Sequence, residues 1–149
     1  MIVDLQIATE ASDLPSQTDI EQWARAALQN GDPDAELSVR IVGNEESQTL
    51  NAQYRQKDKP TNVLSFPADL PGGVDIPLLG DLVICAPVVE VEAQQQGKTS
   101  QAHWAHMVVH GTLHLQGYDH IDDAEAEAME ALETQILCKM GYPAPYEND

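Results

Sequence analysis

The 149-residue chain is long enough to bury one hydrophobic core, and its 42% hydrophobic content is that of a folded protein. No apolar run approaches the roughly 20 residues of a membrane span, and residues 1–10 lack the basic start and apolar stretch of a signal peptide, so we expect a cytoplasmic protein. The net charge of −18 argues against long-range attraction of nucleic acid.

The first third of the chain predicts two strands, each followed by a helix. Residues 1–7 and 36–42 alternate apolar and polar side chains, as half-buried strands do. Residues 17–29 have apolar side chains at helical spacing, with Thr18 as the predicted N-cap. A second helix is predicted over residues 44–54, with its first residue, an asparagine, as the cap and two acids in its first turn.

The middle of the chain predicts two further strands. Residues 55–61 are polar and charged and predict an exposed loop, which residues 63–67 follow as a short strand. Residues 70–77 contain the proline and glycine residues of a turn-rich loop. Residues 79–86 are mostly apolar, which is typical of a buried strand.

Two helices are predicted in the last third of the chain, over residues 99–116 with Gly117 as the C-cap, and from Asp122 to about residue 140. Strands and helices do not alternate strictly. We therefore expect a single α+β domain over residues 1–149, with helices packed on a four- or five-stranded mixed sheet. The chain has two cysteines, Cys85 and Cys138, which are too few to stabilise the fold through disulfide bonds. Each is expected to be a small buried residue.

Histidines cluster near the end of the predicted helix 99–116. His110 and His114 are four residues apart, which puts both imidazoles on one helix face. Gly117 can turn the chain back, so that His120 supplies a third ligand. Three nitrogen donors with an open fourth position are typical of a catalytic zinc site. His103 and His106 are expected to pack or to support the ligands, since His106 and His114 are too far apart to share an ion.

The spacing of these histidines resembles that of the zinc-binding helix of metzincin peptidases. In those enzymes a glutamate follows the first histidine and acts as the general base. Gly111 occupies that position here, which argues against ordinary peptide hydrolysis. A bound metal would still lower the pKa of water and polarise an oxygen atom, so another hydrolytic reaction remains open.

Three segments resemble the YbeY family of endoribonucleases. They are HGTLHLQGYDH over residues 110–120, NAQYRQKDKPTNVLSFP over residues 51–67, and LLGDLVI over residues 78–84. The resemblance implies a single-strand-specific, metal-dependent endoribonuclease that acts in ribosomal RNA maturation, notably at the 3′ end of the small-subunit RNA, and in ribosome quality control. It also implies His110, His114 and His120 as zinc ligands.

The resemblance further implies that Arg55 is the essential basic residue of the cleft and that Asp81 contacts a ribosomal protein. The residues themselves support part of this, since Arg55, Lys57 and Lys59 form the one locally basic loop, and a guanidinium beside a metal stabilises charge on a phosphate. A solvated turn would explain the same three residues, and Asp81 would serve equally as an ordinary strand residue. Asp119, next to the third histidine, is a candidate for orienting a ligand or transferring a proton.

Three functions remain open from the sequence. The first is the zinc-dependent ribonuclease acting on single-stranded ribosomal RNA. The second is a metal-stabilised assembly factor that binds small-subunit ribosomal proteins or other assembly factors and cleaves little, which the charge of −18 favours. The third is a non-peptidase metallohydrolase with a small ester or phosphate as substrate.

Overall fold

The computed structural model describes residues 1–29, 34–68, 78–118 and 122–146, in which five helices pack on a four-stranded sheet. The elements in chain order are β1 (Ile2–Ala8), α1 (Gln17–Ala26), β2 (Glu36–Val42), α2 (Asn44–Arg55), β3 (Val63–Pro67), β4 (Leu78–Cys85), α3 (Ala86–Gln95), α4 (Ser100–Leu115) and α5 (Asp123–Lys139). No helix in these ranges is long and apolar enough to cross a membrane.

The sheet has the strand order β1-β2-β4-β3. Strands β1, β2 and β4 run parallel, and β3 pairs antiparallel with β4 at the edge. The predicted α+β architecture with a mixed sheet is therefore confirmed, with four strands. Because β3 is an edge strand of the described sheet, its outer side is available to line a cleft.

Alternate side chains of the strands contribute to two separate clusters. Val39 and Ile84 face the main core, which α4 completes with fully buried residues such as Trp104. Val83 and Cys85 face the other side of the sheet, where α2 covers them through Leu50. Helix α4 is buried along most of its length, because α1, α3, α5 and the strands β3 and β4 all pack around it.

Helix α3 was not predicted from the sequence. It follows β4 without a loop, and its valines at positions 88, 89 and 91 do not favour a helix. Two signals indicate it nevertheless. Pro87 lies in the first turn, where proline is well tolerated, and Ala86, Val89 and Ala93 are buried at helical spacing.

Three local predictions were wrong. Ser16, not Thr18, caps α1, since its hydroxyl accepts a 3.1 Å hydrogen bond from the Asp19 amide. Gly43 is the N-cap of α2, while the side chain of Asn44 accepts a 3.4 Å hydrogen bond from the Cys85 thiol. Cys138 is exposed on α5 rather than buried, whereas Cys85 is buried as predicted.

Candidate active site

Helix α4 presents His110 and His114 side by side. Thr99 starts the helix, where its hydroxyl accepts a 3.1 Å hydrogen bond from the Ala102 amide. Sixteen residues then run without a break, so that the two histidines lie one turn apart near the C-terminal end. Their ring centroids are 4.7 Å apart and their planes are inclined at 79°. The predicted pairing of these imidazoles on one face is present.

The end of α4 also has the predicted form. Gly117 adopts a φ of +100°, a left-handed conformation that suits glycine. The amides of Gly117 and Tyr118 donate to the carbonyls of His114 and Leu113 at 3.0 and 3.2 Å, which is a Schellman C-cap. His120 and Asp119 lie outside the described residues, and their roles remain predictions.

A cleft of about 700 Å³ opens beside the two histidines. Its lining comes from the C-terminal end of α2, from β3 and from α4, and includes Tyr54, Arg55, Phe66, His110 and His114. The fold thus brings Arg55 of α2 next to the histidines of α4, although 55 positions separate Arg55 from His110. Lys57 and Lys59 are exposed in the loop after α2 but do not line this cleft.

Two buried polar side chains of α2 hold the loop that follows Arg55. The hydroxyl of Ser47 donates to the Thr61 carbonyl at 3.0 Å and accepts from the Thr61 amide at 2.9 Å. The side-chain amide of Asn51 donates to the Lys59 carbonyl at 2.8 Å. These bonds fix Lys59 and Thr61, in the second half of the loop, against α2. Arg55 is the last residue of α2, so it emerges from a regular helix rather than from a free turn.

Glu133 of α5 is the buried acid of the site. Its side chain is fully inaccessible, and its carboxylate accepts hydrogen bonds from His110 Nδ1 at 2.6 Å, from His106 Nε2 at 2.7 Å and from the Tyr146 hydroxyl. Burial alone would raise the pKa of Glu133, but the three donors outweigh burial and hold that pKa at about 2. The carboxylate is therefore ionised and can only accept, so Nδ1 of His110 is the nitrogen that donates to it, and in a neutral imidazole the lone pair that can bind a metal is then on Nε2.

Glu133, which lies at the end of a long acidic stretch, was not predicted from the sequence as a site residue. The available signal was its position. Met129, Glu133, Ile136 and Leu137 are the buried residues of α5 and follow helical spacing, so Glu133 is an acid on an apolar stripe. An acid at such a position needs donors to stay ionised, and histidines were the donors available.

Among the described residues, His106, His110 and Glu133 form a group that could hold a metal ion, since their ligand atoms lie within 4.8 Å of one another. Neutral imidazoles and a carboxylate suit zinc and related transition metals. In the present arrangement His106 Nε2 and His110 Nδ1 both donate to the Glu133 carboxylate, while Nδ1 of His106 is buried without a hydrogen-bond partner in the described part of the chain. Two candidate ligand sets therefore share His110: one with His106 and Glu133, and one with His114 in the cleft.

The backbone at Gly111 lies close to the sheet. A Cβ atom at this position would come within 2.7 Å of Leu82 Cδ2 and 3.4 Å of Ser65 Oγ. Leu82 is fully buried and has little room to move. Steric exclusion by β3 and β4 thus accounts for a glycine at the position where a metzincin has its glutamate.

Asp81 and His103 do not line the cleft. Asp81 is exposed in β4, opposite Ser38 of β2 and Phe66 of β3, so it lies in an inner strand and its charge is solvated. His103 is buried, and its Nε2 pairs with Glu92 at 2.8 Å. Burial lowers the pKa of His103, and the bond to Glu92 only partly offsets this.

The fold has a relative among solved structures. The solution structure of TM1509 from Thermotoga maritima matches with a TM-score of 0.58 over 97% of this chain and 99% of that chain, at 23% identity. At this level of identity the likeness concerns the fold alone. It shows that the arrangement of strands and helices described above exists as a whole in another protein.

A family model described as Endoribonuclease YbeY matches residues 5–141. The chain therefore belongs to the YbeY family. Membership supports an endoribonuclease, a hydrolase, with a role in processing ribosomal RNA, and RNA as the class of substrate.

Proposed function

We propose that this protein is a metal-dependent endoribonuclease that cuts single-stranded ribosomal RNA, at the 3′ end of the small-subunit RNA and in ribosome quality control. The observation that carries the proposal is that Arg55, His110 and His114 line one open cleft. A phosphodiester in this cleft would meet a cation and the metal-ligating side chains together. The whole chain, residues 1–149, would serve as one ribonuclease domain, in the cytoplasm where ribosomal subunits are assembled.

We assign the metal site to His110 and His114 of α4 and, as the third ligand, to His120. Zinc bound there would act as a Lewis acid on a phosphate oxygen or a water molecule. The alternative set with His106 and Glu133 would require an ion to displace short hydrogen bonds from a carboxylate that is fully buried. The set with His114 leaves those bonds intact, and the bond from Nδ1 to Glu133 would orient His110 with the lone pair on Nε2 for the metal.

Arg55 would hold the scissile phosphate. Cleavage places additional negative charge on the non-bridging oxygens, and a guanidinium can donate two parallel hydrogen bonds to them. Either water or the 2′-hydroxyl of the RNA would attack phosphorus. The product ends decide between them, because a 2′,3′-cyclic phosphate rules out direct attack by water. Asp119 remains the candidate for orienting a ligand or transferring a proton.

Because the protein as a whole is acidic, we expect it to contact RNA only through the few basic side chains near the cleft. Lys57 and Lys59 are exposed next to Arg55 and would contact phosphates on either side of the cleavage site. Attraction by basic small-subunit ribosomal proteins would bring a protein of charge −18 to its substrate, and the exposed Asp81 is the proposed contact for such a protein. The same charge supports a second candidate function, a metal-stabilised assembly factor that docks on these proteins and cleaves little.

One experiment separates the two functions. Zinc-loaded wild-type protein, His114→Ala, Arg55→Ala and the control Arg25→Ala, which removes an exposed arginine on α1, are incubated with single-stranded ribosomal RNA. We expect Arg55→Ala to lower cleavage on the order of 100- to 1,000-fold, and Arg25→Ala to cleave like the wild type. Equal cleavage by all four preparations would identify a contaminant, and an absence of cleavage by the zinc-loaded wild type would favour the assembly factor.

A further inference from the structure

Tyr54 is an exposed aromatic side chain at the cleft. It is 56% accessible, more than any other of the seven aromatic residues in the chain. It immediately precedes Arg55 in the last turn of α2, and both residues line the cleft with His110 and His114. An aromatic ring thus stands next to the arginine that we propose as the phosphate clamp.

The ring of Phe66 packs against the ring of Tyr54. The ring centroids are 5.1 Å apart and the planes are inclined at 70°, an edge-to-face contact. Phe66 itself is only partly accessible and packs against the cluster that contains Leu64 and Val83 on β3 and β4. The tyrosine ring is therefore held by its contact with Phe66 of β3, and its backbone lies in the last turn of α2, so little conformational freedom would be lost when a ligand binds to it.

A supported, exposed ring beside a phosphate site is suited to binding a nucleobase. Stacking of a base on an aromatic ring contributes to binding without regard to sequence, because every base has a π-face. Bases within a duplex are stacked on their neighbours and offer no free face, whereas unpaired bases do. Stacking is also non-ionic, so salt does not screen it as it screens an attraction between opposite charges.

We propose that Tyr54, supported by Phe66, is the stacking platform for one unpaired nucleobase adjacent to the phosphate at Arg55. The inference rests on the proposed ribonuclease function and adds a base subsite to it. It also supplies a physical reason for a preference for single strands, since a paired base cannot reach the platform without leaving its duplex.

The test uses zinc-loaded protein and a short single-stranded 2′-O-methyl RNA that carries the fluorescent base 2-aminopurine at one position after another. Tyr54→Leu removes the aromatic ring, and Tyr54→Phe is the matched control that keeps the ring and removes only the hydroxyl. We expect the wild type and Tyr54→Phe to quench the fluorescence strongly at one position. Tyr54→Leu should lose that quenching and bind the RNA roughly 5- to 100-fold more weakly.

Two results would overturn the inference, and they are distinguishable. If Tyr54→Leu binds and quenches like the wild type while both cleave single-stranded RNA, the platform is wrong and the ribonuclease stands. If the wild type neither binds the oligonucleotide nor cleaves single-stranded RNA, the proposed function fails and the platform fails with it. A thermal unfolding curve for Tyr54→Leu that matches the wild type attributes any loss to the ring rather than to the fold.

Discussion

Glu133 accepts a 2.6 Å hydrogen bond from Nδ1 of His110, although the two residues belong to different helices and are 23 positions apart. For a neutral imidazole, the bond assigns the proton of His110 to Nδ1, so that Nε2 carries the lone pair. Because a carboxylate also increases the basicity of the imidazole it accepts from, Glu133 should strengthen a metal ligand that it does not itself provide.

Replacing Glu133 with glutamine tests this positioning role. An amide can offer its oxygen to only one of the two histidines, so His110 would lose its fixed tautomer. We expect roughly 10- to 100-fold weaker zinc binding, measured by competition with a chelator. Glu127→Gln, which removes an exposed acid from the same helix, is the control and should bind zinc like the wild type. Equal affinities for both variants would contradict the role.

The two candidate ligand sets can be separated by a pair of variants. His114→Gln removes a ligand of the cleft set, and His106→Gln removes a ligand of the other set while its amide can still donate to Glu133. We expect His114→Gln to lose stoichiometric zinc in metal analysis and His106→Gln to retain it. Loss of zinc from His106→Gln with retention by His114→Gln would move the site to His106, His110 and Glu133.

The close approach of Gly111 to Leu82 predicts that Gly111→Ala destabilises the protein by about 1–3 kcal/mol, because the gain in helix propensity, about 1 kcal/mol, is smaller than the cost of the clash. Leu82→Ala alone should cost about 2–5 kcal/mol. In the double variant the new methyl group fills space that Leu82 vacated. The loss in free energy of unfolding of the double variant should therefore be smaller than the sum of the losses of the two single variants. Denaturant unfolding checks this, and simple additivity would show that the two residues do not interfere.

The buried His103 predicts a pH dependence of stability. Because burial lowers its pKa in the folded state below the usual 6.5, protonation favours the unfolded chain, and the contribution of His103 is present above pH 6.5 and is lost as pH falls through its folded-state pKa. His103→Gln keeps a donor for Glu92 but does not titrate. Between pH 7 and 5 the wild type should lose more free energy of unfolding than this variant, whereas parallel pH profiles would show that His103 contributes nothing.

Much of the fold could be predicted from the sequence because its signals are local. The alternation in residues 36–42 and the capping at Asp122, whose carboxylate accepts from the Glu125 amide at 2.8 Å, involve near neighbours in the chain. Helix α3 was missed since its valines disfavour a helix and its stability comes from packing against α4. A tertiary contact of this kind has little effect on the local sequence pattern from which a helix is predicted.

In the candidate site, too, the features that depend on one local element were predictable and those that depend on tertiary packing were not. The pairing of His110 and His114 depends on one helix and was predicted from spacing. Glu133 comes from another helix, and its role depends on packing between α4 and α5. Likewise, the meeting of Arg55 with the histidines depends on how β3 follows the loop that Ser47 holds in place, which no short motif encodes.

The most direct test of the central claim is a titration of metal-free protein with zinc, in which cleavage of single-stranded ribosomal RNA is measured at each step. We predict that cleavage is absent without metal, rises in proportion to bound zinc and saturates at one ion per chain. Cleavage by metal-free protein at the rate of the loaded enzyme would contradict it.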